Sequence, residues 1–110
     1  MSCDKALVAQ IFYNIFPAER LKKLADENLD LLISTKADLR GNILEMTFIF
    51  GNNSSLTPIE IEKLEAELKK QVTFIFNVKA FKDWKYVVPF LSVNFPKLVN
   101  HAPNAVVLIV

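Results

Sequence analysis

The spacing of apolar and polar positions changes period several times along this chain, and each change marks an element. Residues 5–15, KALVAQIFYNI, are apolar around most of a helical wheel, and Asp4 stands where an N-cap belongs. A helix that is buried, or that covers something, is expected there. PAERLKKLADEN follows, with Pro17 suited to a first helical turn, Leu21, Leu24 and Ala25 on one face, and Asn28 able to take the left-handed conformation that ends helices. This predicts a second, amphipathic helix.

The period then shortens to two. LDLLISTK and NILEMTFIF are rich in β-branched and aromatic residues and are joined by ADLRG, whose Gly41 can supply a positive φ, so they predict a β-hairpin. In the second run Leu44, Met46, Phe48 and Phe50 are expected to face the core, with Glu45 and Thr47 on the other side. GNNSS is a loop by composition; Asn52 and Asn53 each begin an N-x-S pattern, which carries meaning only on a eukaryotic secretory route.

LTPIEI carries a full helix-start signature: Thr57 as N-cap, Pro58 at the first position, Glu60 reaching back, and Leu56 packing on Ile61. Along the helix to residue 70, Ile61, Leu64 and Leu68 form the inner stripe. Glu65 with Lys69 and Glu67 with Lys70 have ion-pair spacing, so the charges are expected to be a solvated face rather than a catalytic array. VTFIFNV alternates Val72, Phe74, Phe76 and Val78, which predicts a strand. VKAFKDWK reads as a loop and YVVPFLSVNF as a further strand, where Pro89 argues for an edge or a bulge. AVVLIV at the C-terminus is consistent with a last buried strand or with an intermolecular one.

These elements predict one α+β domain over residues 1–110: a helical part over 1–28, a ββαββ core over 29–95, and an apolar segment over 96–110. The sheet is expected to be antiparallel, with four or five strands, one face covered by the 57–70 helix and the N-terminal helices. A hydrophobic content of 52%, with nine Phe against two Gly, excludes disordered and collagen-like classes. A net charge of +1 gives no global field for nucleic acid or an anionic membrane, and no apolar run reaches the roughly 20 residues of a spanning helix. One cysteine, Cys3, excludes an intramolecular disulfide. A lipid on Cys3, if a leader had been removed before it, is the lesser alternative to an ordinary cysteine beside a helix start.

The order hairpin, helix, strand, preceded by an aromatic-proline pair, resembles the TonB carboxy-terminal domain. Phe16-Pro17 stands at that family's first landmark, Arg40-Gly41-Asn42-Ile43 at its turn, Leu56-Thr57 at its helix opening, and Val72 to Phe76 at its third-strand motif. The similarity spans roughly residues 16 to 95 and is one of elements more than identities: Val72 and Phe76 replace the motif's tryptophan and proline. It implies a small module that binds an extended segment by strand addition, and a place in the cell envelope or periplasm.

Chemistry-bearing constellations are sparse. His101 and Cys3 lie at opposite ends of the chain, two glycines cannot build a phosphate loop, and no His or carboxylate spacing matches a metal site. No cofactor or catalytic residue is therefore assigned. Asp26, Glu27 and Asp30 form one tight acidic cluster, balanced by Lys22 and Lys23 nearby. The segment VKAFKDWKY is the candidate partner-binding surface: Lys79, Lys82 and Lys85 alternate with Phe81, Trp84 and Tyr86, a mixture suited to protein recognition, with too small a basic excess for nucleic acid. The competing reading tucks Phe81 and Trp84 into the core while the lysines reach outward. The expected function is non-catalytic, a protein-interaction or assembly module; the alternatives are a protein binding small apolar ligands or lipids, and a homo-oligomeric structural protein.

Overall fold

In the computed structural model, which describes residues 1–110, the capping chemistry written in the sequence starts each long helix. Asp4 accepts the Leu7 N–H and opens α1 (Lys5–Ile15). Pro17 precedes α2 (Ala18–Asp26), and Asn28, with φ 55°, closes it: Leu29 N–H returns to the Leu24 carbonyl and Asn28 N–H to that of Ala25. Leu24 and Leu29 are both buried, so the cap also fixes where the chain enters the sheet. Strands β1 (Asp30–Asp38) and β2 (Ile43–Ile49) form the expected hairpin, and α3 (Pro58–Gln71) begins with the Thr57–Glu60 capping box.

Gly41 shows why the hairpin needs that residue. Its φ is 89°, and a Cβ there would stand 1.9 Å from the Phe74 carbonyl oxygen. Phe74 N–H donates to the Gly41 carbonyl, so the chain leaving α3 lies directly on the turn.

The remaining strands are β3 (Tyr86–Val87), β4 (Phe90–Asn94) and β5 (Val106–Ile109). All pairings are antiparallel, in the order β2-β1-β4-β5, with β3 beside β1 in line with β4. Leu31, Ile33, Thr35 and Ala37 of β1 and Leu91 and Val93 of β4 are buried beneath the helix layer, where α1 packs on α3, and α2 on the short α4 (Phe95–Val99). Phe12, Phe16 and Phe95 meet there with ring centroids 5.7 to 6.1 Å apart. Leu32, Phe90, Val107 and Ile109 alternate onto the opposite, uncovered face.

Several local expectations need correction. The hairpin register slips between Lys36 and Ala37, and the extra residue on β2 is Leu44; the bulge buries Ile43 and leaves Leu44 47% exposed, while Met46, Phe48 and Phe50 pack inward as expected. Val72 to Val78 is not a strand: Val72, Phe74 and Phe76 do turn inward, but the segment makes only isolated bridges, Thr73 with Asn42 and Ile75 with Ser2. Sequence alternation reports which side chains are buried, not whether a neighbouring ladder exists. Val78, expected on the buried face, instead begins a 3₁₀ turn and is exposed.

Pro89 falls where the pairing with β1 is interrupted, just after the edge strand β3, but no bulge forms there and the strand that follows is not at an edge. The β4 strand after it lies between β1 and β5, and Pro89 sits in the gap between β3 and β4, where its carbonyl accepts both the N–H and the Oγ1 hydroxyl of Thr35, the latter at 2.7 Å. Glu67 pairs not with Lys70 but accepts from the Gln71 amide, while Glu65 and Lys69 do pair at 3.0 Å. Helix α4 falls where the sequence suggested only strand and loop; Asn94 caps it by accepting the Lys97 N–H, with Pro96 in its first turn.

Candidate interaction site

The segment from Val78 to Tyr86 is built by short-range bonds. Asn77 caps the 3₁₀ turn Val78–Phe81 by accepting the Lys79 N–H at 3.1 Å, and the Trp84 N–H returns to the Phe81 carbonyl at 2.8 Å. These bonds set three aromatic rings in sequence. Phe76, half-buried, meets Phe81 edge-on at 5.4 Å, and Phe81 meets Trp84 edge-on at 5.4 Å. Phe81 therefore anchors the turn to the core, whereas Trp84 rests on Phe81 and remains 57% exposed.

Tyr86 extends the same surface onto the sheet. It pairs with Asp38 in register and holds the Lys36 ammonium 4.3 Å from its ring centre, a cation–π contact joining β1 to β3. Lys79, Lys82 and Lys85 are exposed, and none has a carboxylate within ion-pair distance. Asp83, Trp84, Lys85, Tyr86 and Val88 line a shallow depression of about 400 Å³. Of the six residues singled out by sequence, Phe81 is the support, and Lys79, Lys82, Trp84, Lys85 and Tyr86 form the accessible surface.

Beside it lies an open backbone edge. β3 pairs with β1 alone, and β5 reaches along β4 only as far as the pair Phe90–Ile109. Val88, 46% exposed, has neither a backbone nor a side-chain hydrogen-bond partner for its N–H or C=O. Aromatic side chains, unpaired lysines and unused peptide groups thus share one corner of the molecule.

Other polar clusters have structural employment. Arg20 donates to both carboxylate oxygens of Glu60, at 2.7 and 2.8 Å, and to the Ser55 hydroxyl and carbonyl, while Glu27 accepts the Ser55 N–H and hydroxyl. The Arg20 hydrogen bonds, helped by those from Thr57, hold the Glu60 carboxyl down at about 2 against an ordinary 4.5. Ser55 likewise lowers Glu27. The sequence's acidic cluster is thereby divided: Glu27 ties the loop before α3, Asp30 accepts the Ser92 hydroxyl at 3.3 Å, and Asp26 is exposed. Burial raises the Cys3 thiol, disfavouring the thiolate a nucleophile requires.

His101 occupies the left-handed position ending α4, with φ 53°, its ring 5.3 Å from that of Tyr13. Its Nδ1 lies 3.2 Å from the Tyr13 hydroxyl, which donates to the Leu98 carbonyl and so accepts from that nitrogen. Sequence inspection missed this pair and the Arg20–Glu60 bridge, since 88 and 40 positions separate their members and no local pattern connects them. The α4 cap, by contrast, was written locally in Asn94 and Pro96.

Comparison of the chain with protein-family models, with curated proteins and with solved structures finds no match. No helix is long and apolar enough to cross a membrane.

Proposed function

We propose that this protein is a non-catalytic interaction module that captures an extended segment of a partner protein by strand addition at the Tyr86–Val88 edge, with Trp84 and Tyr86 as the gripping side chains. The observation that carries the reading is the unpartnered peptide unit of Val88 beside exposed aromatic residues. Backbone bonds supply general affinity in this mode and side chains on alternate positions supply selectivity. The similarity to the TonB carboxy-terminal domain implies the same kind of recognition, and with it a cell-envelope setting.

A small apolar ligand fits less well. Phenylalanines that could have lined a cavity instead fill the core: Phe12, Phe16 and Phe95 pack on one another, and these three and Phe74 are at most 2% exposed. The hollows on either side of the Tyr13–His101 pair measure about 250 and 240 Å³, the hollow of about 380 Å³ between α1 and α3 is lined mostly by polar side chains, among them Asn14, Lys63, Glu67 and Gln71, and the depression of about 400 Å³ at Trp84 is shallow, whereas ligand pockets are usually enclosed and apolar.

The test is affinity capture from the source organism's extract at moderate salt, with mass spectrometry of what wild type retains and Trp84→Ala loses. A stoichiometric protein lost with the variant supports the module. Identical retention by both proteins, or a large fall in thermal stability that makes Trp84 part of the core, refutes the site.

A further inference from the structure

At the other side of β1 the sheet ends in β2, whose outer edge is open along most of its length. Thr35 N–H donates to the Pro89 carbonyl and Phe95 N–H to that of Leu29, so odd-numbered residues along β1 turn their backbone groups toward β4 and even-numbered ones toward β2. Leu32, Ser34 and Lys36 stand opposite Ile49, Thr47 and Glu45, which therefore direct their peptide groups to β1. Those of Met46 and Phe48 point outward, where no strand pairs with them and no side chain bonds to them. The chain leaving α3 meets this side of the hairpin only before the strand begins, where Thr73 bridges to Asn42. β2 itself lies within the chain, joined to β1 at one end and leading to α3 at the other.

Nothing on this edge discourages pairing. Exposed edge strands are usually guarded by lysine, proline or a charge turned inward. From Glu45 to Ile49 there is neither Lys nor Pro, and the one charge, Glu45, stands on the uncovered face opposite Lys36. The bulge at Leu44 disturbs only the start of the strand, which leaves Glu45 to Ile49 as its regular part. On the helix side Met46 and Phe48 pack at the rim of the core and are only half-buried; on the other face Ile49 is 48% exposed. A strand that completes their burial brings apolar side chains at two alternate positions on the helix side, and no acid opposite Glu45.

β2 of another copy meets those demands. With the two strands antiparallel about a two-fold axis at Thr47, Met46 of each copy stands opposite Phe48 of the other, and these residues carry the free peptide groups. Thr47 then meets Thr47, and Glu45 meets Ile49. Other centres fit less well: one at Glu45 opposes two carboxylates, one at Met46 draws in the bulge at Leu44, and one at Phe48 runs past Ile49 into the loop. We propose that two copies of this protein pair antiparallel through the outer edge of β2 about Thr47, joining two sheets into one and two core rims into one layer. A contact of one short strand is small beside the roughly 1,200–2,000 Å² of a stable interface, so the dimer is concentration-dependent. The Tyr86–Val88 corner lies on the opposite side of β1 and stays free in both copies.

Sedimentation velocity of the full chain over about a hundredfold range of concentration should show monomer passing into dimer. Thr47 is exposed, and Thr47→Lys and Thr47→Glu should each weaken association about tenfold or more, because like charges then face one another across the axis. An equal mixture of the two variants should recover it. In a Cys3→Ser background, Thr47→Cys should form a disulfide between copies on mild oxidation, since Cα atoms of such a pair are about 4.5 Å apart. Ile49→Cys, also exposed, should not, being displaced from its own counterpart along the strand. The cysteine variants keep the test where a charged variant fails to fold. A chain that stays monomeric throughout, a dimer that neither charged variant weakens, a mixture that recovers nothing, or Ile49→Cys that crosslinks as fast as Thr47→Cys overturns the inference.

Discussion

Replacing Glu60 by Gln isolates the charge of the bridge that ties α2 to the start of α3. Gln keeps the carbonyl oxygen that accepts the Thr57 N–H, so the capping box survives, but Arg20 loses its bidentate carboxylate. Glu60 titrates near 2 in the folded chain against an ordinary 4.5; at about 1.4 kcal/mol per pH unit that span sets a ceiling of about 3 kcal/mol. The side chains keep 21% and 17% of their exposure, so water and salt screen the pair, and about 1–2 kcal/mol is expected. A carboxyl lowered by folding contributes fully above its unfolded value, and the contribution is lost as pH falls from about 4.5 toward 2. Urea unfolding at pH 7 should show the midpoint of Glu60→Gln lower by about 1–2 M, given a slope of about 1 kcal/mol per molar. The gap between variant and wild type should shrink to about half by pH 3, because protonated Glu60 resembles Gln. Equal midpoints at pH 7, or a gap unchanged from pH 7 to pH 3, would refute the assignment of this stability to the ion pair.

Gly41→Ala should cost about 3 kcal/mol in chemical denaturation, since a Cβ meets the Phe74 carbonyl and the backbone is left-handed; a loss under about 1 kcal/mol would mean that the turn relaxes freely. His101→Ala should cost about 1–2 kcal/mol, keeping the left-handed strain and losing the Tyr13 contacts, whereas His101→Gly should stay within about 0.5 kcal/mol of wild type because strain relief offsets those contacts. Equal stability of the two variants in thermal melts would remove backbone strain from the account. Thr35→Val, which deletes the buried hydroxyl but leaves the Thr35 N–H on the Pro89 carbonyl, should lower stability by about 1 kcal/mol with little change in the denaturant slope. An unchanged midpoint would show that the second bond to that carbonyl contributes nothing.

Local chemistry determined much of this protein from sequence alone. Asp4, Asn28, Thr57 and Glu60 fixed helix ends because a cap needs only residues within one turn, and Gly41 fixed the hairpin because only its backbone tolerates the required φ. The aromatic–lysine segment was visible as composition, but whether Trp84 was buried or exposed was not; that depended on Phe81 reaching Phe76 and filling the space first. Tertiary structure decided everything that hangs on a neighbour far along the chain. Val72 to Val78 has a strand's alternation yet no ladder, since only single residues, Asn42 and Ser2, come alongside it. The strand after Pro89 is interior because β1 and β5 pair along its two sides, and Thr35 supplies two donors to the Pro89 carbonyl. Val88 lies between the pairs Ala37–Val87 and Phe90–Ile109 because a register between strands is set by the shared core, not by either strand's own residues.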